Sequence, residues 1–207
     1  MPTFPTLADL EAAVALSSFD VEGAQRRMAP RGRMGAPGPG SPPPREASVL
    51  LYVFEDEEGL RFPLTKRRSD LSEHRGQVSL PGGRPEADET SWDTAVREAA
   101  EEIALEPSLA TRVGALTPVW IPITHTLMHV EVARGPVPEL EPSPREVEAL
   151  GLAHVADLLD PQRSGMRALS RAPDSRTVPA FDLCGWVVWG ATAIALGELA
   201  ARLDAVR

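Results

Sequence analysis

Cysteine is almost missing from this 207-residue chain: Cys184 stands alone, so no intramolecular disulfide and no cysteine-cluster metal site can form. That usage fits a reducing compartment. Lysine is almost missing too. Of the 21 basic residues 20 are arginine, and the single lysine is Lys66. Basic charge as a whole is short, since 30 Asp and Glu leave a formal charge of −9. The deficit argues against nonspecific nucleic-acid binding, which needs a basic face to offset phosphates. It leaves a small anionic substrate open, because a local cationic patch or a metal ion can supply the field. Long apolar runs are absent as well. The longest uncharged apolar stretch, residues 183–196, is too short to span a bilayer and holds two glycines. The first residues lack the order of a signal peptide, and the last three are not a peroxisomal tripeptide. The expectation is a cytoplasmic protein with neither membrane nor nucleic-acid partners, and a homodimer is compatible with it.

An apolar fraction of 43% supports a normal core without staples. Residues 6–22 read as one amphipathic helix, with Thr6 as N-cap, Asp9 at the capping-box position, and Leu7, Leu10 and Val14 at helical spacing. Residues 29–45 carry six prolines and four glycines, which reads as a linker. The expected division is therefore 1–45, an appended helix and linker, and 46–207, the main domain. In the latter, strands are expected at 49–54 and 61–66 around an acidic turn, then at 77–80, 113–121, 127–133 and 150–155. Helices are expected at 91–105, briefly at 156–159, and from about 183 to 203. Mixed order of this kind points to α/β layers around a sheet.

The chemistry concentrates in residues 83–105. On a helix, Glu98, Glu101 and Glu102 fall within an arc of roughly 100°. Trp92, Ala95, Val96, Ala99 and Ile103 occupy the neighbouring arc and would bury against a sheet. Alone, such a cluster more often marks a solvated helix face. Next to a core, three crowded carboxylates call for a counter-ion, and a hard cation held by oxygens suits them. The preceding Leu80-Pro81-Gly82-Gly83 ends a strand with two glycines, which allow close backbone approach to a ligand.

Gly83, Glu89, Arg97-Glu98 and Glu101-Glu102 at these spacings resemble the Nudix box over 23 residues, with every charged position kept. The match departs at Ala104, where the family has glycine, and Ala99 is a small apolar residue. Glycine there suits a left-handed helix exit. Alanine in that conformation costs about 1 kcal/mol, so the helix is expected to run on until Pro107 ends it. The resemblance implies an α/β/α sandwich around a mixed sheet, with the N-terminal helix as an extension. It also implies a hydrolase of diphosphate linkages using Mg²⁺ or Mn²⁺. Carried over residue by residue, Glu98 and Glu102 would be principal metal ligands and Glu101 a third ligand or a base acting through water. Glu89 and Arg97 would form an orienting ion pair. The general base could come from the box helix, at Glu98 or Glu101, or from a distant loop, at Glu146 or Glu148.

Just upstream, Leu64-Thr65-Lys66-Arg67 leads through His74-Arg75-Gly76-Gln77 into Pro81-Gly82-Gly83. That order is similar to the extended signature of the coenzyme A pyrophosphatase branch, although Leu80 replaces an aromatic. Phe181 and Trp189-Gly190-Ala191-Thr192-Ala193 are similar to the ending of that branch. The resemblance implies coenzyme A as substrate, cut to adenosine 3′,5′-bisphosphate and 4′-phosphopantetheine. Lys66, Arg67, Arg68 and Arg75 form the densest basic cluster of an acidic chain. Lys66, Arg67 and Arg75, with Gly82 and Gly83, are the expected substrate contacts. His74 would touch a phosphate or anchor its turn. His125 and His129 read as packing or solvent residues alternating on one strand face. A Nudix enzyme for another nucleoside diphosphate, such as ADP-ribose, and a noncatalytic nucleotide sensor stay open as alternatives.

Overall fold

The apolar run at residues 49–54 becomes the spine of the sheet. The computed structural model describes residues 4–30, 40–70, 76–169 and 176–207. Strand β1 (Arg45–Asp56) is buried from Val49 to Phe54 because it carries a layer on each face. Side chains alternate along a strand. Leu50, Tyr52 and Phe54 therefore meet Ala95, Ala99 and Ile103 of helix α3 (Ser91–Ile103). Val49, Leu51 and Val53 meet the other core, which contains Leu196, Leu199 and Leu203 of helix α4 (Ala191–Val206). A strand dry on both sides explains an unbroken apolar run where a half-exposed strand would alternate. The result is a helix–sheet–helix sandwich.

The sheet has seven strands of mixed direction. β1 turns through Glu57 and Glu58 into antiparallel β2 (Gly59–Arg67), with Asp56 opposite Gly59. β6 (Thr126–Gly135) runs parallel to β1 along its other edge, and β5 (Thr111–Ile121) is antiparallel to β6. β7 (Val147–His154) is antiparallel to β2. β1 and β2 pair only over residues 54–56 of β1 and then part. The short strands β3 (Val78–Ser79) and β4 (Gly82–Gly83) fill that opening, β3 on β2 and β4 on β1. The Leu50 N–H donates to the Pro81 carbonyl at 2.9 Å and fixes the wedge.

Three expectations need correction. The N-terminal region is two helices, α1 (Leu7–Ala15) and α2 (Val21–Met28). The Thr6–Asp9 capping box forms, but Asp20 accepts the Gly23 N–H at 2.9 Å and starts a new helix, as short polar side chains compete with helix continuation. These helices are packed in, not appended: Leu10, Ala13 and Met28 belong to the core of α4. Wholly buried Glu198 on α4 accepts from Gln25 at 2.8 Å, and Arg202 donates to the carbonyls of Ala13 and Leu16 at 3.2 and 3.0 Å.

At the other end, the expected helix from 183 begins only at Ala191. The residues before it form a second sheet from β8 (Ser164–Leu169), β9 (Arg176–Leu183) and β10 (Trp186–Trp189). Cys184 and Gly185 turn between β9 and β10 with φ of 53° and 75°, the positive pair a tight hairpin requires. Trp186, Val187, Val188 and Trp189 are aromatic and β-branched, which suits a strand. Third, His125 and His129 do not share a strand. His125 lies in the turn before β6 with φ 51°, and His129 alone is in β6. Among the described residues no helix is long and apolar enough to cross a membrane.

Candidate active site

Helix α3 begins where its sequence says, with Thr90 capping and Asp93 closing a capping box. It ends at Ile103, not at Pro107. Ala104 takes the left-handed conformation, φ 56° and ψ 28°, which the expected continuation had avoided. Compensation comes from its surroundings. Leu105 is 1% exposed in the α3 core, and its N–H reaches the Ala99 carbonyl. The carbonyls of Glu102 and Ile103, orphaned by the helix end, accept from Ser143 N–H at 2.8 Å and Glu141 N–H at 3.0 Å. Those two bonds dock the proline-rich loop on the helix and carry Glu146 to its C-terminal end.

With Ala95, Ala99 and Ile103 in the core, Glu98 and Glu102 lie on the flank facing β4. Gly82 is enforced by backbone contact, while Gly83 lets the Glu98 carboxylate come close. A Cβ on Gly82 would strike the Ser48 carbonyl, and one on Gly83 would overlap the Glu98 carboxylate. Glu102 is 7% exposed and accepts the Gly82 N–H at 3.2 Å. Burial pushes its carboxyl up to about 7; the Gly82 bond and Arg67 oppose this, while the charges of Glu98 and Glu146 add to it. Glu98 is also raised, first by burial, against the pull of Arg97.

Arg97 organises the other side. It forms a bidentate pair with Glu89 at 2.7 and 3.0 Å, donates to Glu98 at 3.0 Å, and reaches the Arg84 carbonyl at 3.0 Å. Hydrogen bonds from Arg97, the Glu86 N–H and Thr94 hold Glu89 down at about 2. The expected orienting pair is thus present. Its ties to Thr94 and the Arg84 carbonyl escaped the sequence reading, since no spacing rule marks a carbonyl acceptor. Glu101 is the outlier: its side chain is 60% exposed, and its contact to Arg97 is 3.5 Å long.

The basic cluster is largely neutralised. Lys66 pairs with Glu148 at 2.6 Å and Arg68 with Asp70 at 2.6 Å. Arg67 bridges Glu146 at 3.2 Å and Glu102 at 4.0 Å, while its Nε is buried and unpartnered among the described residues. Arg75 and His74 lie outside the described residues. The structure therefore brings together Glu98, Glu102, Glu146, Arg67, Gly82 and Gly83, and it leaves Lys66 and Glu101 at the edge.

Among the described residues no three acidic, imidazole or thiol groups converge on one point, because Glu98 is turned to Arg97 and Glu102 to Gly82. The donor set still fits a hard divalent cation. Glu98, Glu102 and Glu146 sit near one another, Arg97 is largely taken up by Glu89, and burial leaves Glu102 poorly compensated. An ion with oxygen ligands relieves that imbalance.

Residues 44–172 match the family model described as the NUDIX domain. The chain belongs to the Nudix family. It is 37% identical over 161 residues to the chloroplastic Nudix hydrolase 22 of Arabidopsis thaliana, covering 72% of this chain and 52% of that protein. The chain thus spans about half the length of that plant relative. It is 35% identical over 165 residues to the human mitochondrial coenzyme A diphosphatase NUDT8, covering 77% of this chain and 70% of that one. A MutT/nudix family structure from Enterococcus faecalis superposes with a TM-score of 0.52 at 14% identity, over 95% of this chain and 74% of that chain. That likeness concerns the fold alone. Members of this family generally use a divalent metal ion.

Proposed function

We propose that this Nudix hydrolase cleaves the diphosphate of coenzyme A, or of a coenzyme A derivative, to adenosine 3′,5′-bisphosphate and 4′-phosphopantetheine. The observation that carries the reading is the buried, poorly compensated Glu102 carboxylate beside Glu98 and Glu146, against the Gly82-Gly83 backbone. A diphosphate repels an incoming hydroxide, and cations at such a cluster remove that barrier. Coenzyme A as the diphosphate is supported by the 64–83 signature and by the human relative of that activity.

In this reading Glu98 and Glu102 hold Mg²⁺ or Mn²⁺, with Glu101 as a third ligand or a base through water. The bound ion would offset phosphate charge and lower the pKa of the attacking water. Glu89 fixes Arg97, and Arg97 fixes the rotamer of Glu98. Glu146 accepts a proton from water in this reading, which its half-exposed side chain beside Arg67 supports. Arg67 serves the diphosphate through its guanidinium, whose side chain is 34% exposed beside Glu102 and Glu146. Lys66, paired with Glu148, contributes less.

Mass spectrometry of products from a diphosphate panel with Mg²⁺ or Mn²⁺ tests the substrate. The two named products from coenzyme A are expected. Turnover of ADP-ribose or dephospho-coenzyme A at least about tenfold more efficient would overturn the coenzyme A assignment while leaving the hydrolase in place.

A further inference from the structure

Helix α3 packs its apolar face on Leu50, Tyr52 and Phe54, and its Glu98 carboxylate reaches over Gly83. Before Leu50 on the same sheet face Ser48 is buried, while Glu46 is exposed and opens the face to solvent as a floor. Strand registers locate that floor. Gly83 pairs with Ser48, and Ser48 with His129. Two residues nearer the start of β1, Glu46 pairs with Leu127, and Leu127 with Trp120. Residues opposite one another in a sheet share a face, and so do residues two apart on a strand. These six residues therefore lie on the side of α3 and Glu98. From the strand spacing and rise, the Trp120 and Gly83 backbones are about 16 Å apart. An indole and a nucleoside monophosphate together bridge such a gap.

The floor's chemistry suits a planar base. Trp120 meets the His125 ring edge to face, with centroids 5.0 Å apart and planes at 82°. Each ring in such a pair uses at most one of its two faces, so the indole keeps one for another planar group. Neither apolar core includes Trp120 or Leu127, although both are partly buried. His129 Nε2 lies 2.6 Å from Glu46, and the two side chains are 32% and 44% exposed. They present a carboxylate acceptor and a ring edge to a base with an exocyclic amine. Arg84, exposed and next to Gly83, adds a cation on the path to Glu98.

We propose that this sheet floor is the adenine subsite, with Trp120 stacking on the base. The inference rests on the protein cutting an adenine-bearing diphosphate, but not on which one. The competing occupant is the pantetheine arm, whose flexible chain has no planar ring for the indole to meet.

Calorimetric titration of adenosine 5′-monophosphate and of 4′-phosphopantetheine into wild type, Trp120→Ala and Trp120→Phe separates these occupants. Trp120→Ala should weaken the mononucleotide about tenfold, the scale of one base–aromatic stack, and change 4′-phosphopantetheine less than twofold. Trp120→Phe should recover most of the loss, which also guards against a folding defect. Equal weakening of both ligands, weakening of 4′-phosphopantetheine alone, an unchanged mononucleotide, or no mononucleotide binding by wild type overturns the subsite. If wild type fails to cut coenzyme A yet shows the Trp120-dependent binding, the substrate reading fails and the subsite stands.

Discussion

Glu102 is a carboxylate held where its charge is costly, and that cost is measurable. Its folded-state pKa of about 7 lies above the usual value of 4.5, so the folded protein binds the proton more tightly than the unfolded chain. Stability from this group is therefore highest below about pH 4.5 and declines as pH rises to 7. Glu102→Gln mimics the protonated form. In EDTA the variant should melt several degrees above wild type at pH 8, roughly 2–4 °C for each kcal/mol relieved, and close to wild type at pH 5. With Mg²⁺ it should turn over at least about a hundredfold more slowly, as should Glu98→Gln, with native far-UV circular dichroism. Wild-type turnover in both would remove this site from the mechanism.

Arg67 touches the same cluster, while the single lysine is tied to Glu148. Arg67→Ala should lower kcat/KM by roughly ten- to a hundredfold for coenzyme A and equally for dephospho-coenzyme A. Lys66→Ala should cost little on either. A loss confined to coenzyme A would instead assign the residue concerned to the 3′-phosphate.

At the scale of elements, α3 shows what a local rule can and cannot reach. Its start near residue 91, its apolar face and its glutamate flank were legible, because the 3.6-residue period is a property of the segment itself. Its end was not. The cost of a left-handed alanine argued for continuation, but the buried Leu105 side chain and the docked loop at Ser143 and Glu141 outweigh that cost. Ala104→Gly should remove the strain and raise stability by about 0.5–1 kcal/mol in chemical denaturation, with the denaturant slope unchanged. A destabilised variant would mean that the alanine methyl makes packing contacts worth more than the strain. The residue 183–190 segment failed for the opposite reason. Its apolar run has no period that separates a helix from a buried hairpin, and the turn at Cys184-Gly185 decides it.

The whole molecule is closed by contacts between segments far apart in the chain. Arg202 and Glu198 form a buried pair on α4, 2.9 Å apart, that also holds Gln25, Thr117 and the carbonyls of Ala13 and Leu16. Arg202→Ala leaves Glu198 buried and uncompensated and should cost about 3–5 kcal/mol by urea denaturation. Amide exchange should rise first in α1 and α2. Loss of stability without that local exchange would place the pair's role elsewhere.

The sequence by itself determined the apolar run of β1, the cap of α1, the apolar face of α3, the carboxylate spacing of Glu98, Glu101 and Glu102, and hence the family. Each of these is set within a few residues by backbone geometry and side-chain type. Only the tertiary structure decided that the N-terminal helices share the core, that Glu146 reaches Arg67 across 79 positions, and that Lys66 is neutralised. Those outcomes depend on which charges and apolar faces meet once the strands are in register, and one strand's sequence does not encode its distant neighbour's position.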